Sequence, residues 1–214
     1  MRSLARPENL AGMARFGITT SSALGLNTPA IRAIARRLCP GRRKDQTLAE
    51  ELWRTGIRET RILAALIGDP QTITRSTMDR WARELDCWSV CDACCCELFD
   101  RTPYVWRKIP KWAADKREFV RRAAFSTLAG AAVHRKQEGD QPFLEALPLI
   151  EEYAFDDRNF VRKAVNWALR NIGKRNARLL PAAIACAERV RAQDTKSARW
   201  IAADALRELR LKSA

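Results

Sequence analysis

Apolar residues recur at intervals of three and four positions along most of the chain. The segments IRAIARRL (31–38), LAEELW (48–53), ETRILAALI (59–67) and ALPLIEEYAF (146–155) all show this spacing. It is the period of a helix that buries one face, and no segment alternates apolar and polar residues over the length of a strand. Glycine and proline are scarce, at nine each. The pattern predicts an all-α protein of about ten helices joined by short connections.

Short polar and turn-forming sequences mark the helix boundaries. Asn27-Thr28-Pro29 combines a capping residue with a proline for the first turn, which predicts a helix start. Pro40-Gly41 predicts the end of that helix, and Gly68-Asp69-Pro70 predicts the end of a later one. We treat residues 1–214 as a single repeat domain, with a partly irregular segment over residues 1–25.

One helix sequence occurs twice. Residues 115–123 and 156–164 are identical or similar at seven of nine positions, at an offset of 41 residues. A weaker third copy, residues 194–207, follows at an offset of about 37. Helix pairs with a period of about 40 residues indicate HEAT- or armadillo-like stacking, in which neighbouring pairs share a core. We therefore predict a HEAT-like helical repeat solenoid with a concave basic face, the alternative being a chance similarity of two helices.

The charge balance of the chain points to a polyanionic partner. Lys and Arg number 39 against 25 Asp and Glu, which gives a net charge of +14. Such a field concentrates nucleic acid, although a basic surface can also serve solubility alone. In the two strong repeats the basic residues recur near the start and on one face of the second helix, as expected of a surface that follows a phosphate backbone. These residues are Arg117, Arg121, Arg122, Arg158, Arg162, Lys163 and Arg170.

Several other classes of protein fit the sequence poorly. No apolar run reaches the length of about 18 residues that a membrane span needs, and no signal peptide is evident. Seven cysteines, an odd number, suit a reducing compartment. We expect a soluble cytoplasmic, nucleoid-associated monomer.

The cysteines and the single histidine argue against metal and triad chemistry. Cys91-x-x-Cys94 has a zinc-like spacing, but no second pair of ligands follows it. We predict that Cys87, Cys91, Cys94, Cys95 and Cys96 are small buried side chains and that no metal is bound. The only histidine, His134, lies far from them in the sequence, which leaves no evident partner for a catalytic serine or cysteine.

Trp88 and Asp92 are the clearest candidates for chemistry. Their spacing of four places the indole and the carboxylate on one face of a helix, one turn apart. An aromatic ring beside a carboxylate suits a site for a cationic ring, or for a positive charge that develops during a reaction. The spacing alone leaves open that Trp88 is a core residue and Asp92 an ordinary polar residue of its helix.

This pair, with FVRRAAFSTL (119–128) and FVRKAVNWALRNIGKRN (160–176), resembles the DNA alkylation repair glycosylases built from HEAT-like repeats. The similarity covers most of the chain, from MARFGI (13–18) to the last repeat. It implies an active cleft formed by Trp88, Asp92, Arg122 and Trp167. It also implies backbone contacts by Arg170 and by the helix start at Thr28 and Arg32. We add four basic residues and one aromatic residue to the predicted DNA contacts: Arg121, Arg162, Lys163, Lys174 and Phe16, the last of which replaces a tyrosine of the family.

The resemblance implies hydrolysis of the N-glycosidic bond of purines alkylated at N3 or N7 in duplex DNA, without metal or organic cofactor. Asp92 would stabilise the sugar cation and orient water, the two tryptophans would face the cationic base, and Arg122 and Arg170 would hold phosphates. Two other classes remain open: a catalytically silent relative that binds distorted or branched DNA, and a HEAT scaffold for acidic proteins. The presence of all four cleft residues favours the enzyme.

Overall fold

Every regular element of the protein is a helix within the part that the structure describes. The structure is a computed structural model, and it covers residues 1–213 apart from the side chains of Arg2, Arg42 and Ser213. Twelve α-helices and four short 3-10 helices occur there, with no strand. The chain divides into two compact units, Met1–Pro103 and Tyr104 onward. The prediction of an all-α protein is confirmed.

The first unit contains six α-helices, and three of them begin at a capping side chain. Asn27, Asp45 and Thr74 each accept a hydrogen bond from a backbone N–H three residues later, at 2.9, 2.9 and 3.1 Å. The predicted start at Asn27 and the predicted ends after Leu38 and Ile67 are therefore confirmed. The helices are α1 (Leu10–Arg15), α2 (Thr28–Leu38), α3 (Gln46–Arg54), α4 (Arg58–Ile67), α5 (Arg75–Arg83) and α6 (Trp88–Glu97).

Stacked aromatic rings hold the first unit together. Trp53 of α3 and Trp81 of α5 are fully buried and nearly parallel, with their ring centroids 4.1 Å apart. Phe99, just after α6, lies 6.4 Å from Trp81. Such aromatic pairs contribute about 0.5–1.5 kcal/mol each beyond the burial of their surface. The cluster therefore ties α3 and α5 to the end of α6.

The N-terminal segment is irregular, as predicted, but it is firmly attached. After α1 no helix forms until Thr28. The buried carboxylate of Glu59 on α4 accepts hydrogen bonds from the backbone N–H groups of Leu24, Gly25 and Leu26, at 2.8, 3.1 and 3.2 Å. Gly25 has a φ of +79°, and a Cβ there would lie 2.0 Å from the carbonyl oxygen of Arg6. Only glycine fits this crossing of the chain.

The second unit consists of three helix pairs: α7 (Val105–Ala113) with α8 (Glu118–His134), α9 (Gln141–Tyr153) with α10 (Asn159–Arg175), and α11 (Leu179–Arg191) with α12 (Lys196–Ser213). The second helices of successive pairs, α8, α10 and α12, pack side by side. They begin 41 and 37 residues apart, which are the offsets that the sequence predicts.

The repeated Asp-x-Arg sequence forms the same structure in the first two pairs. Arg117 donates from its backbone N–H and Nε to Asp115, at 2.9 Å each, and Arg158 does the same to Asp156, at 3.2 and 2.9 Å. Arg121 then links the two pairs, because its Nη1 donates to Asp156 at 2.6 Å. The sequence repeat is thus a repeat of hydrogen bonds at the start of α8 and α10.

Four of the clustered cysteines, Cys87, Cys91, Cys94 and Cys95, are buried as predicted, and all five are free thiols. The prediction is wrong for Cys96, which is only partly buried because it lies near the end of α6 on a less covered face. Burial raises the pKa of the Cys94 thiol far above its ordinary value, which keeps it protonated and a poor metal ligand. Over residues 1–213, no helix combines the length and apolar character that crossing a membrane requires.

Candidate functional site

Trp88 and Asp92 lie one turn apart at the start of α6, as predicted. Both side chains are partly exposed. The indole Nε1 of Trp88 donates to the backbone carbonyl of Phe16, at 2.9 Å, which fixes the orientation of the ring. The hydrogen bond engages the N–H edge of the indole, and a π face of such a ring can attract a cation. The arrangement offers an oriented aromatic face and a carboxylate on one helical surface.

The segment after α1 and the start of α4 hold the beginning of α6 in place. Thr19 donates from its hydroxyl to the carbonyl of Asp86, at 3.1 Å. Arg58 donates from Nε to the hydroxyl of Ser89, at 3.0 Å, and from Nη1 to the buried carboxylate of Glu59, at 3.2 Å. Glu59 therefore positions both the N-terminal segment and, through Arg58, the turn that carries Trp88.

Sequence reasoning missed Arg58 and Glu59. A usable signal was present, since Glu59 lies on the same helical face as Ile62 and Leu63, and a carboxylate on an apolar face is rarely buried without partners. Its partners are backbone N–H groups 33 to 35 residues earlier, which no local pattern reveals.

Phe16 is 74% exposed and follows α1, where its carbonyl receives the Trp88 indole. An exposed phenylalanine at this place adds apolar surface beside Trp88 and supplies no hydroxyl. On α2, Thr28 is exposed in the first turn, and Arg32 is exposed but forms an ion pair with Glu97 of α6. These three predicted DNA contacts are accessible, and all belong to the first unit.

In the second unit, Arg121 and Arg122 are directed into the packing of α8 against its neighbours. Arg121 is 9% exposed, bonds to Asp156 and to the carbonyl of Ala113, and lies 4.7 Å from the ring of Tyr153. Arg122 is 6% exposed and donates to the carbonyl of Phe160, at 2.6 Å. Both guanidinium groups therefore serve contacts within the protein, and their predicted contacts with DNA remain predictions.

Along α10, Arg170 and Lys174 face an acidic residue of α12. Both bond to the carboxylate of Glu208, each at 2.6 Å. The hydrogen bond from Lys174 is the main cause that lowers the pKa of Glu208, and Arg170 adds to it, so the carboxylate remains ionised. Trp167, on the same helix, is partly exposed. Arg170 and Lys174 therefore lie together at the surface of α10, with part of their charge neutralised by Glu208.

Arg162 and Lys163 lie nearer the start of α10. Lys163 is exposed, and the guanidinium of Arg162 lies 5.0 Å from the ring centroid of Trp200 on α12. The predicted cleft residues are thus divided, with Trp88 and Asp92 in the first unit and Arg122 and Trp167 in the second.

Comparisons with known proteins agree with this architecture. A protein family described as DNA alkylation repair enzyme matches residues 1–209. A solved structure from a family related to the HEAT-like repeat DNA glycosylases, with affinity for branched DNA structures, matches with a TM-score of 0.74. It is 19% identical over 88% of this chain and 79% of that chain, a likeness that shows the fold and confirms the predicted HEAT-like repeat. A comparison with the sequences of curated proteins found no match.

Proposed function

The chain belongs to the family of DNA alkylation repair enzymes, and we propose that it acts there as a DNA glycosylase. The proposed substrate is a purine in duplex DNA that carries an alkyl group at N3 or N7. Alkylation gives the base a positive charge, so it departs as a neutral molecule without prior protonation. The enzyme then needs to stabilise charge on the sugar and to supply water.

The observation that carries this proposal is the pair of Trp88 and Asp92 at the start of α6. The indole is oriented by its hydrogen bond to Phe16, and the carboxylate lies one turn further along the helix. A fixed anion beside an aromatic face matches the two charges of the reaction, a cationic base and a cationic sugar. Neither residue is fully buried, so both are accessible to a substrate.

In the proposed reaction the bond between C1′ and the purine nitrogen breaks, and its electron pair leaves with the base. The carboxylate of Asp92 stabilises the oxocarbenium ion that forms at C1′ and orients a water molecule, whose oxygen attacks C1′ while its proton passes to Asp92 or to solvent. Trp88 offers a π face to positive charge, a contact of about 0.5–2 kcal/mol. The part that the resemblance gives to Trp167, which belongs to the second unit, stays a prediction. No step requires a metal or an organic cofactor.

In the proposed complex, exposed and partly exposed basic side chains bind the DNA phosphates. Arg170 and Lys174 exchange the carboxylate of Glu208 for phosphate oxygens, and Arg32 exchanges Glu97. Thr28 and Lys163 are exposed and add a hydroxyl and an ammonium group. Within the second unit, the guanidinium of Arg122 holds the carbonyl of Phe160 at the start of α10, and its role in the active cleft, which the resemblance implies, stays a prediction.

A second candidate function is binding of distorted or branched DNA without base release. It is favoured by the affinity for branched DNA structures that characterises the family of the solved relative. Loss of a tyrosine hydroxyl at Phe16 is in keeping with a change of substrate.

One experiment separates the two candidates. Purified protein is incubated with methylated duplex DNA, and free bases are resolved by chromatography, with the protein omitted in the control. We expect release of 3-methyladenine or 7-methylguanine above the spontaneous rate. Tight DNA binding with release no faster than the control would reject the glycosylase and support the silent binder.

A further inference from the structure

One position of the helical repeat is occupied differently in each of its three copies. It lies six residues after the aspartate that opens the copy, and it is Arg121 in the first, Arg162 in the second and Trp200 in the third. The three side chains belong to α8, α10 and α12, the second helices of successive pairs. Comparison of these three positions shows which side chain lacks the ion-pair partner that the repeat normally supplies.

Arg121 is fully engaged within the protein. Its Nη1 donates to Asp156 at 2.6 Å, its Nε donates to the carbonyl of Ala113 at 2.8 Å, and its guanidinium covers the ring of Tyr153. Asp156 is the opening aspartate of the next copy. In the first copy, the arginine at this position therefore binds the opening aspartate of the following copy.

Arg162 lacks that partner. The equivalent aspartate, Asp194, has a left-handed backbone with φ of +53° and pairs instead with Arg199. Among the residues that the structure describes, no carboxylate lies within ion-pair distance of Arg162. Its Nε is buried and has no hydrogen-bond acceptor, so only the Nη atoms remain for an outside ligand. The guanidinium lies over the indole of Trp200, which is 37% exposed.

Unlike two other basic residues of α10, Arg162 has no carboxylate partner among the described residues. Arg170 and Lys174, two and three turns further along, share Glu208, whereas for Lys163 no carboxylate pairing occurs in the described part of the chain. Positive charge that is not neutralised internally is therefore concentrated near Arg162 and Lys163. A guanidinium that lies over an aromatic ring can still donate from its Nη atoms to a phosphate.

We propose that Arg162 and Trp200 form a binding platform for an unstacked DNA nucleotide. The edge of the guanidinium holds the phosphate, and the indole takes the base or deoxyribose by stacking. Bases inside a continuous duplex present no free face, so the platform selects nucleotides that are single-stranded, bulged or at a junction. The proposal rests on the proposed function only in that DNA is the ligand, and it concerns residues apart from Trp88 and Asp92.

The test compares affinities of the full-length protein for two fluorescent DNAs, a continuous duplex and the same duplex with a short unpaired thymine bulge. Replacement of Trp200 by leucine should weaken binding to the bulged DNA about five- to twentyfold and binding to the duplex less than about twofold. W200F should restore most of the loss, because phenylalanine still stacks. R162K, which keeps the charge and loses the planar group, should weaken bulge binding in the same direction.

Matched controls are F155L, an exposed aromatic ring outside α10 and α12, and R191K, an exposed arginine of α11; neither should change the preference. Equal losses on both DNAs, or W200F as weak as W200L, would overturn the platform and leave Trp200 as a structural contact between α10 and α12. Base release from methylated duplex by the same variants separates the two proposals. If the W200L protein still releases base and still prefers bulged DNA, the platform alone is rejected. If W200L loses the preference for bulged DNA but the wild type releases no base, the glycosylase alone is rejected.

Discussion

Glu208 is a single carboxylate that neutralises part of the positive charge on the surface of α10. It binds Arg170 and Lys174 at 2.6 Å each while remaining partly exposed. Exposed ion pairs contribute only about 0–1 kcal/mol, so a phosphate can replace the carboxylate at little cost. Glu208 therefore holds two cations in place, and under the proposed function it competes with DNA for them.

Replacing Glu208 with glutamine should raise affinity for duplex DNA about two- to fivefold at low salt, because the competing charge is removed. Since the pKa of Glu208 is lowered by Lys174 and Arg170, it stays ionised at ordinary pH, and the wild type should approach the variant only in acid. Fluorescence anisotropy gives both affinities, and E188Q, which removes the carboxylate that pairs with Arg191 and Arg210, is the matched control. Weaker binding by E208Q would show that the cations do not meet phosphate.

At the scale of elements, Asp156 joins the α7–α8 pair to the start of α10. Its buried carboxylate accepts hydrogen bonds from Arg158 and from Arg121. Burial acts to raise the pKa of Asp156, but hydrogen bonds from Arg158 and Arg121 outweigh it and the pKa is lowered. A lowered pKa in the folded state means that the ionised carboxylate stabilises the protein above its unfolded pKa.

Replacement of Asp156 by asparagine should lower the free energy of unfolding by about 3–5 kcal/mol near neutral pH, because Arg121 is left buried without its counter-charge. The difference from wild type should shrink as pH falls through the lowered pKa of Asp156, where the wild-type carboxylate is protonated. Urea titrations over a range of pH give these values.

The equivalent carboxylate in the preceding repeat, Asp115, provides the control. Over the described residues its ion-pair partner is the exposed Arg117 alone, so D115N should cost less than about 1 kcal/mol. Equal losses for D115N and D156N would contradict the linking role of Asp156.

The sequence predicted these elements to different degrees, for physical reasons. The first two repeats were recognisable because Asp115-x-Arg117 and Asp156-x-Arg158 form their bonds locally. The third copy was weak because Asp194 pairs with Arg199 and the linking arginine is replaced by Trp200. Trp88 and Asp92 were predictable from helical spacing. Their support from Glu59, and the pairing of Arg170 with Glu208, depends on contacts between distant parts of the chain.

For the whole molecule, the excess of basic over acidic residues determines how it interacts with polyanions. The net charge of +14 predicts strong attraction to polyanions and steep dependence on salt. Each phosphate contact contributes about −0.9 to the slope of log affinity against log salt concentration. The slope therefore counts the contacts without requiring any assumption about their geometry.

Replacement of Arg170 by alanine should flatten this slope by about one unit on any duplex sequence, since one phosphate contact is lost. R191A is the matched control, because Arg191 also forms an ion pair but lies on α11, outside the predicted interface. Affinities measured over a series of salt concentrations give both slopes. An unchanged slope for R170A would place Arg170 away from the phosphate backbone.

The central claim is that the negative charge of Asp92 promotes base release. Asparagine at this position retains size and hydrogen bonding but lacks the charge, and D86N, which alters an exposed carboxylate just before α6, is the control. The decisive measurement is the single-turnover rate of 7-methylguanine release at saturating enzyme, with DNA affinity measured in parallel. We expect D92N to lose about 10²- to 10³-fold in rate while its affinity holds or rises slightly and D86N stays at the wild-type rate. Wild-type release by D92N would contradict this claim.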